Sequence, residues 1–329
     1  SKNNSFMFRV SYYKNRINLE VFHVLTDGMG GINFLRELTY QYLRLAHPKL
    51  REKYGDELSA DTSLNREDSF LKNYKKKSKS VYKSKRAFLI KGEKLAYDGF
   101  GVIHGYLPIK QLKKVCHDYG VSINEYLVAT FIWAAYQEYY RHITKDRPIR
   151  VAVPVNLRPY FDSITTKNFF VMVSAEFAPE TDDYAFEEIV ELTRASLKEQ
   201  INKEHLEKIF SYNVSNEQMV VARAVPLFLK NMAMRFVYTQ SALANTTTVT
   251  NIGNIKVEEA YEPYIQMFHS FLSFSKGQQL KATITSYKDT LVYTYTSAWQ
   301  DTAIQRRVFR QIAKDGVDVK IETNGVYYE

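Results

Sequence analysis

The sequence predicts an α/β fold of two related subdomains, each a mixed sheet flanked by helices. Three observations lead there. Apolar runs of period two alternate with runs of period 3.6 along the chain, so strands and helices are interleaved. Successive strand runs are joined by short polar turns rather than by regular helical crossovers, which favours a mixed sheet. The chain also repeats itself at a fixed offset, with Lys14–Leu38 lying over Lys288–Ile312. Lys14 meets Lys288, Asn15 meets Asp289, and the strand run Ile17–Val21 meets Leu291–Tyr295. Asp27 meets Asp301, Leu35 meets Phe309, Arg36 meets Arg310 and Leu38 meets Ile312, whereas His23 meets Ser297. A pseudo-duplicated chain in which one copy keeps a histidine is the reading these pairs support.

In chain order, Phe6–Tyr13 and Ile17–His23 alternate and form a hairpin around Lys14-Asn15-Arg16. Gly31–His47 reads as a helix with Leu35, Leu38, Tyr42 and Leu45 on its core face, stopped by Pro48. Residues 1–50 are therefore taken as the remainder of an N-terminal subdomain. Residues 51–99 are polar and basic and read as a crossover linker, mobile in part. Its Lys72, Lys75, Lys76, Lys77, Lys79, Lys83, Lys85, Arg86, Lys91 and Lys94 face little acid. Residues 100–329 form the C-terminal subdomain. There Val102–Leu107 is a strand, Pro108–Tyr119 a helix ended by Gly120, and Ser122-Ile123-Asn124-Glu125 a capping box opening a helix to about Ile143. Ile123, Leu127, Phe131 and Ala134 make that helix's core stripe. Strands at Ile149–Val155 and Phe169–Phe177 follow, then a helix with Phe186, Ile189, Thr193, Leu197 and Ile201 inward. Ser215-Asn216-Glu217-Gln218 reads as a second capping box, with Pro226 kinking the helix it opens. Thr246–Val249, Phe268–Phe274, Leu280–Ser286 and Leu291–Ser297 read as strands, Asp301–Ala313 as the last helix, and Val317–Glu322 as an edge strand.

Chemistry is most legible in Phe22-His23-Val24-Leu25-Thr26-Asp27-Gly28-Met29-Gly30-Gly31. Alternation through Leu19, Val21 and His23 puts the histidine at the end of a strand, and Gly28, Gly30 and Gly31 would break a helix just beyond it. A helical His–Asp metal pair is excluded on that ground, and no third ligand lies nearby. The spacing alone leaves two readings open: a base that takes a proton from a hydroxyl, or a histidine that caps a buried hairpin. The glycines fit either a tight strand-to-helix turn or a close backbone approach to substrate.

His-x-x-x-Asp-Gly after a strand resembles the motif of the chloramphenicol acetyltransferase-like superfamily. Condensation domains of peptide synthetases, wax-ester synthases, plant acyltransferases and alcohol acetyltransferases belong to it. Many members carry two consecutive histidines; here Phe22 holds the first position. Pro154-Val155-Asn156-Leu157-Arg158, Thr165 and Asn168-Phe169-Phe170 resemble the mid-chain segment of the alcohol acetyltransferase-like members, and Thr250-Asn251-Ile252-Gly253 their later Asn-x-Gly segment. The resemblance implies two chloramphenicol acetyltransferase-like subdomains with a tunnel between them, and a segment preceding the motif that this chain lacks. It implies an O-acyltransferase of the alcohol acetyltransferase-like group that uses acyl-CoA, above all acetyl-CoA, as co-substrate and holds no bound cofactor or metal. His23 would be the general base and Asp27 would fix its loop by pairing with an arginine, for which Arg158 is the candidate. Asn168, Thr250 and Asn251 would line the tunnel; for Asn251, a strand-end turn is an equal reading. An alcohol is a poor nucleophile at neutral pH. An imidazole titrating near ~6.5 can take its proton as the oxygen attacks a thioester, then protonate the leaving thiolate. The alternatives are a condensation-type domain acting on carrier-protein-bound substrates with an amine or hydroxyl acceptor, and a non-catalytic binding protein on the same fold.

Composition bounds the partners. A net charge of +9 suits the phosphates of acyl-CoA or an acidic acyl carrier protein, but its lysines cluster in the crossover, where a solvated linker is the simpler reading. The 25 Tyr and 20 Phe residues sit at core spacings rather than as stacking platforms, so nucleic acid is not expected. The single cysteine, Cys116, excludes an intrachain disulfide framework and suits a reducing, cytoplasmic setting; it reads as a plain helix residue. No apolar run reaches the ~18 residues of a spanning helix. A monomer is expected, with a small-molecule alcohol as acceptor.

Overall fold

The computed structural model describes residues 6–54, 67–75, 85–140, 147–181, 183–217 and 226–327. Two strands, β1 (Phe8–Tyr13) and β2 (Arg16–Val21), pair antiparallel as a separate hairpin. The other seven strands among the described residues are β3 (Gly101–Pro108), β4 (Ile149–Asn156), β5 (Phe170–Phe177), β6 (Thr247–Asn254), β7 (Leu280–Tyr287), β8 (Thr290–Ser297) and β9 (Lys320–Thr323). They form one sheet in the order β5-β4-β6-β7-β8-β3-β9. The β4–β6 and β6–β7 pairs are parallel and the rest antiparallel, so the sheet is mixed.

Among the described residues ten α-helices accompany the strands: α1 (Gly28–Ala46), α2 (Pro48–Tyr54), α3 (Ser69–Asn73), α4 (Ile109–Asp118), α5 (Ile123–Glu138), α6 (Arg158–Phe161), α7 (Phe186–Gln200), α8 (Lys203–Glu217), α9 (Leu227–Leu243) and α10 (Ala303–Lys314). The central one is α5. Its capping box forms as the sequence predicts: Glu125 N–H donates to Ser122 Oγ (3.2 Å), and Ser122 N–H donates to Glu125 Oε2 (2.7 Å). It packs between α7 and α10. Leu127, Phe131 and Ala134 are fully buried, but so are Tyr126, Val128, Ile132 and Tyr136, so the helix is core on nearly every side rather than along one stripe. One sheet face, carrying Tyr293, Tyr295, Ile284, Val151 and Val153, joins these helices in the main core.

The opposite sheet face is lined with buried threonines. Their hydroxyls need acceptors once water is excluded. Thr283 donates to the Ser270 carbonyl (2.6 Å), Thr285 to that of Phe268 (3.4 Å) and Thr296 to that of Leu272 (2.8 Å). Residues 268–272 therefore lie across the sheet, held by side chains. This corrects the strand expected at Phe268–Phe274, whose alternation reflects contact with a sheet rather than membership of one.

A second core joins Tyr40 and Leu43 of α1 and Leu50 of α2 to Ile255, Tyr261, Ile265, Phe268 and Tyr287. Tyr40 stacks on Tyr261 at 4.0 Å, and Arg44 Nε donates to the Tyr261 hydroxyl (2.7 Å). The expected core face of α1 is thereby corrected: Tyr42 and Leu45 are 56% and 75% exposed. The helix has two apolar stripes, and the remote 255–268 segment selects between them.

Three more expectations change. Ser215 lies near the end of α8, so it opens no helix; the fourth residue of its expected capping box, Gln218, lies outside the described residues. Pro226 precedes the first turn of α9, where its missing N–H is no loss, and kinks nothing. Within residues 51–99, Ala87, Ile90 and Leu95 are buried, and Phe70 sits edge-on against Phe169 at 5.0 Å. Lys76, Lys77, Lys79 and Lys83 lie outside the described residues; α5 ends at Glu138 with Tyr139 as its C-cap rather than near Ile143, and residues 141–143 also lie outside the described residues.

Candidate active site

β2 ends at Val21, two residues before the histidine. Phe22 N–H donates to Met7 O (2.8 Å), and Leu25 N–H donates to Phe22 O (2.9 Å). His23 is thus a central residue of a four-residue turn rather than the last residue of a strand, and it is exposed. The chain then enters α1 directly. Gly28, Gly30 and Gly31 form the first turn of that helix, correcting the expectation that they would break one.

Asp27 is the N-cap of α1 and 7% exposed. A carboxylate at a helix N-terminus meets unpaired N–H groups and the positive end of the dipole. Its Oδ1 accepts from Gly30 N–H at 3.1 Å. Arg158 binds the same carboxylate in the two-pronged geometry its planar guanidinium favours, Nη1 to Oδ2 at 2.9 Å and Nη2 to Oδ1 at 3.1 Å. Phe169 N–H adds a bond to Oδ2 at 2.9 Å. Arg158 in turn donates to the carbonyls of Thr165 (Nε, 2.8 Å) and Lys167 (Nη2, 2.8 Å) and to Asn156 Oδ1 (Nη1, 3.1 Å). All five guanidinium hydrogens have acceptors, which a buried cation requires.

The loop between α6 and β5 completes the frame. Thr165 is buried and donates to the Glu67 carbonyl (2.8 Å), tying down the segment that carries α3. Thr26 donates to the Thr166 carbonyl. Gly30 lies against that same carbonyl: a Cβ there would stand 2.3 Å from Thr166 O and 1.9 Å from Thr26 Oγ1. Gly31 faces open space. Of these two glycines it is therefore Gly30 that has no room for a side chain.

Asn168 touches the histidine itself. Its Oδ1 is 3.1 Å from His23 Nδ1, and its Nδ2 donates to the His23 carbonyl at 2.9 Å and the Val24 carbonyl at 3.4 Å. The Phe170 ring stands 5.6 Å from the imidazole. The sequence marked Asn168 only as a tunnel residue; its contact with His23 spans 145 residues and left no local signal. Thr250 and Asn251 make no hydrogen bond to His23. Asn251 Oδ1 accepts from Gly253 N–H (2.8 Å) at a bulge in β6. That bulge reaches the motif through Ile252, whose Cδ1 would be 2.8 Å from a Cβ on Gly28.

Other reactive groups are disposed differently. Cys116 is buried in α4, and burial pushes its thiol up to about 12, so it offers no thiolate. On the threonine-lined sheet face, Tyr106 donates to Glu322 (2.9 Å) and lies 3.0 Å from His269 Nε2, with the His104 ring 4.6 Å from that of His269. Sequence reading missed this group because its members come from β3, β9 and the 268–272 segment. Among the described residues no cluster of three or more His, Cys, Asp or Glu could hold a metal, and no helix is long and apolar enough to cross a membrane.

No protein-family model matches the chain, and no curated protein matches it in sequence. Solved structures do match. TRI101 of F. sporotrichioides, crystallised with coenzyme A and T-2, superposes with a TM-score of 0.52 at 12% identity, over 92% of this chain and 67% of that one. Polyketide synthase associated protein 5 from Mycobacterium tuberculosis gives 0.51 at 14% identity, over 90% and 72%. The nonribosomal peptide synthetase FmoA3 (S1046A) aligns more loosely, at 0.45 and 17% identity, and this chain spans 24% of its length. At such identities the likeness is one of fold alone, a fold shared with TRI101 and polyketide synthase associated protein 5.

Proposed function

We propose that this chain is an O-acyltransferase that carries an acyl group from acyl-CoA to an alcohol, with His23 as general base. The observation that carries the reading is an exposed imidazole on a loop fixed by a largely buried ion pair. The Asp27–Arg158 pair does not touch the ring. It holds the turn that presents it, which matches the division of labour the motif implies. The alcohol proton passes to the imidazole as the oxygen attacks the thioester carbonyl. The imidazolium returns that proton to the departing sulfur, giving ester and free thiol. The reading needs no acyl-enzyme, and the inert thiol of Cys116 is consistent with that. A CoA-bound protein of the same architecture, TRI101, supports acyl-CoA as donor. On this reading residues 1–50 supply the base, 51–99 connect, and 100–329 supply Arg158 and Asn168.

The test follows free thiol released from acetyl-CoA with a panel of short and long alcohols, for wild type and His23→Ala. Alcohol-dependent release that falls by roughly 10²–10⁴-fold in the variant, the size of a general-base contribution, is the expected result. Equal release from both proteins, or none with any alcohol, overturns the reading. Release on supplying an acyl carrier protein instead of CoA would make the chain a condensation-type domain.

A further inference from the structure

We propose that Asn168 is a positioning residue that selects the tautomer of His23, leaving Nε2 as its basic atom; this rests on the reading of His23 as a base. Asn168 Nδ2 faces two backbone carbonyls, His23 O at 2.9 Å and Val24 O at 3.4 Å. Carbonyl oxygens only accept, so the NH₂ end of the amide must face them. The amide oxygen is thereby turned to His23 Nδ1, 3.1 Å away. It too can only accept, so Nδ1 carries the hydrogen. A neutral imidazole has one N–H, and Nε2 is left with its lone pair. No described group bonds Nε2.

The same amide grips both the backbone carbonyl and the ring of one residue, so it fixes ring orientation as well as protonation. Asn168 is itself held, because the next residue donates its N–H to Asp27 Oδ2 at 2.9 Å. The orientation of the imidazole is thus continuous with the Asp27–Arg158 pair. The consequence for the reaction is a closed proton cycle at one atom. Nε2 takes the hydroxyl proton, the imidazolium keeps its Nδ1–H on Asn168, and Nε2 gives the proton to the leaving sulfur. The ring ends in the tautomer it began in, with no flip between half-reactions.

Imidazole ¹⁵N NMR of protein labelled at histidine reads the tautomer without any assay of activity. The His23 signals are assigned by their loss in His23→Gln, at a pH where the ring is neutral. A protonated Nδ1 and an unprotonated Nε2 are expected in the wild type, moving toward the Nε2–H form in Asn168→Leu. Nε2–H in the wild type, or a spectrum unchanged in Asn168→Leu, overturns the proposal. The wild-type spectrum decides the matter even if the leucine variant does not fold. Where acyl transfer is measured, Asn168→Leu should lower kcat roughly tenfold or more with KM for the thioester held. Asn168→Asp keeps an acceptor at Nδ1 and adds a negative charge that favours the imidazolium. It should restore part of kcat and move the acid limb of the pH profile up by about one unit. An Nδ1–H wild type without transfer to any alcohol would sink the acyltransferase reading and leave the positioning role standing; transfer by an Nε2–H wild type would do the reverse.

Discussion

Lys14 and Lys288 share a backbone conformation, φ 52° in each, at the same place in two hairpins related by the repeat offset. Each opens a two-residue turn, closed by Tyr13 against Arg16 in one hairpin and Tyr287 against Thr290 in the other. Each ammonium lies over the preceding tyrosine ring, at 5.3 and 5.2 Å. A left-handed lysine costs about 1–2 kcal/mol and is not a common choice. The register agrees along the strands: Phe8 faces Val21 as Ala282 faces Tyr295. The copies diverge at the histidine. His23 is exposed, whereas its counterpart Ser297 is fully buried and accepts from Trp299 N–H at 3.0 Å.

Removing the guanidinium should be costly. Arg158→Met leaves the Asp27 carboxylate buried without its partner, and breaking such a pair costs about 3–5 kcal/mol. A urea denaturation curve should show that loss, and a loss below about 1 kcal/mol would mean the loop is held by its backbone bonds alone.

Two of the three motif glycines, Gly30 and Gly31, should respond in opposite directions. Gly30→Ala drives a methyl group into the Thr166 carbonyl and should destabilise by about 1–3 kcal/mol. Gly31→Ala meets no atom within 4 Å and replaces a poor helix former in α1, so it should stabilise by up to about 1 kcal/mol. Thermal unfolding of the two variants side by side checks the ordering; equal shifts would contradict it.

Acid should weaken the fold through His104. Burial, then the neighbouring His269, pushes its imidazole down to about 4, with Arg16 adding to the effect and Glu322 opposing it. The folded chain holds it neutral while the unfolded chain takes up a proton near ~6.5. Stability therefore falls as pH drops from about 6.5 toward 4, by on the order of 2 kcal/mol once partial exposure is discounted. In His104→Gln the difference between urea midpoints at pH 7 and pH 4.5 should shrink; an undiminished difference would place the acid sensitivity elsewhere, His269 being the next group whose burial lowers it.

What could be read from the sequence is what neighbouring residues decide among themselves. The α5 capping box, both lysine hairpins and the stop at Gly120, which has φ 66°, are settled within a few residues, and each was legible. What depended on remote partners was not. The face of α1 is chosen by Tyr261, more than 200 residues on. The 268–272 segment imitates a strand because its carbonyls meet threonine hydroxyls of β7 and β8. Ser215 has the residues of a cap, but α8 is already running when it is reached. At the site, the motif announced His23 and Asp27, whereas the grip of Asn168 on the histidine exists only once β5 is in place.

The ties on the His23 loop from Arg158, Phe169 and Asn168 span 131, 142 and 145 residues. Loops that long must be closed before any of these bonds can form, and closure at such separation is a slow, late step in folding. The hairpin and the helix that flank the histidine are local and can form early. A chain still emerging from synthesis, or opened by partial denaturation, therefore presents an imidazole that swings freely. On the proposed reading, chemical competence arrives together with the last long-range contacts, so loss of alignment at His23 should be among the earliest signs that the fold has begun to open.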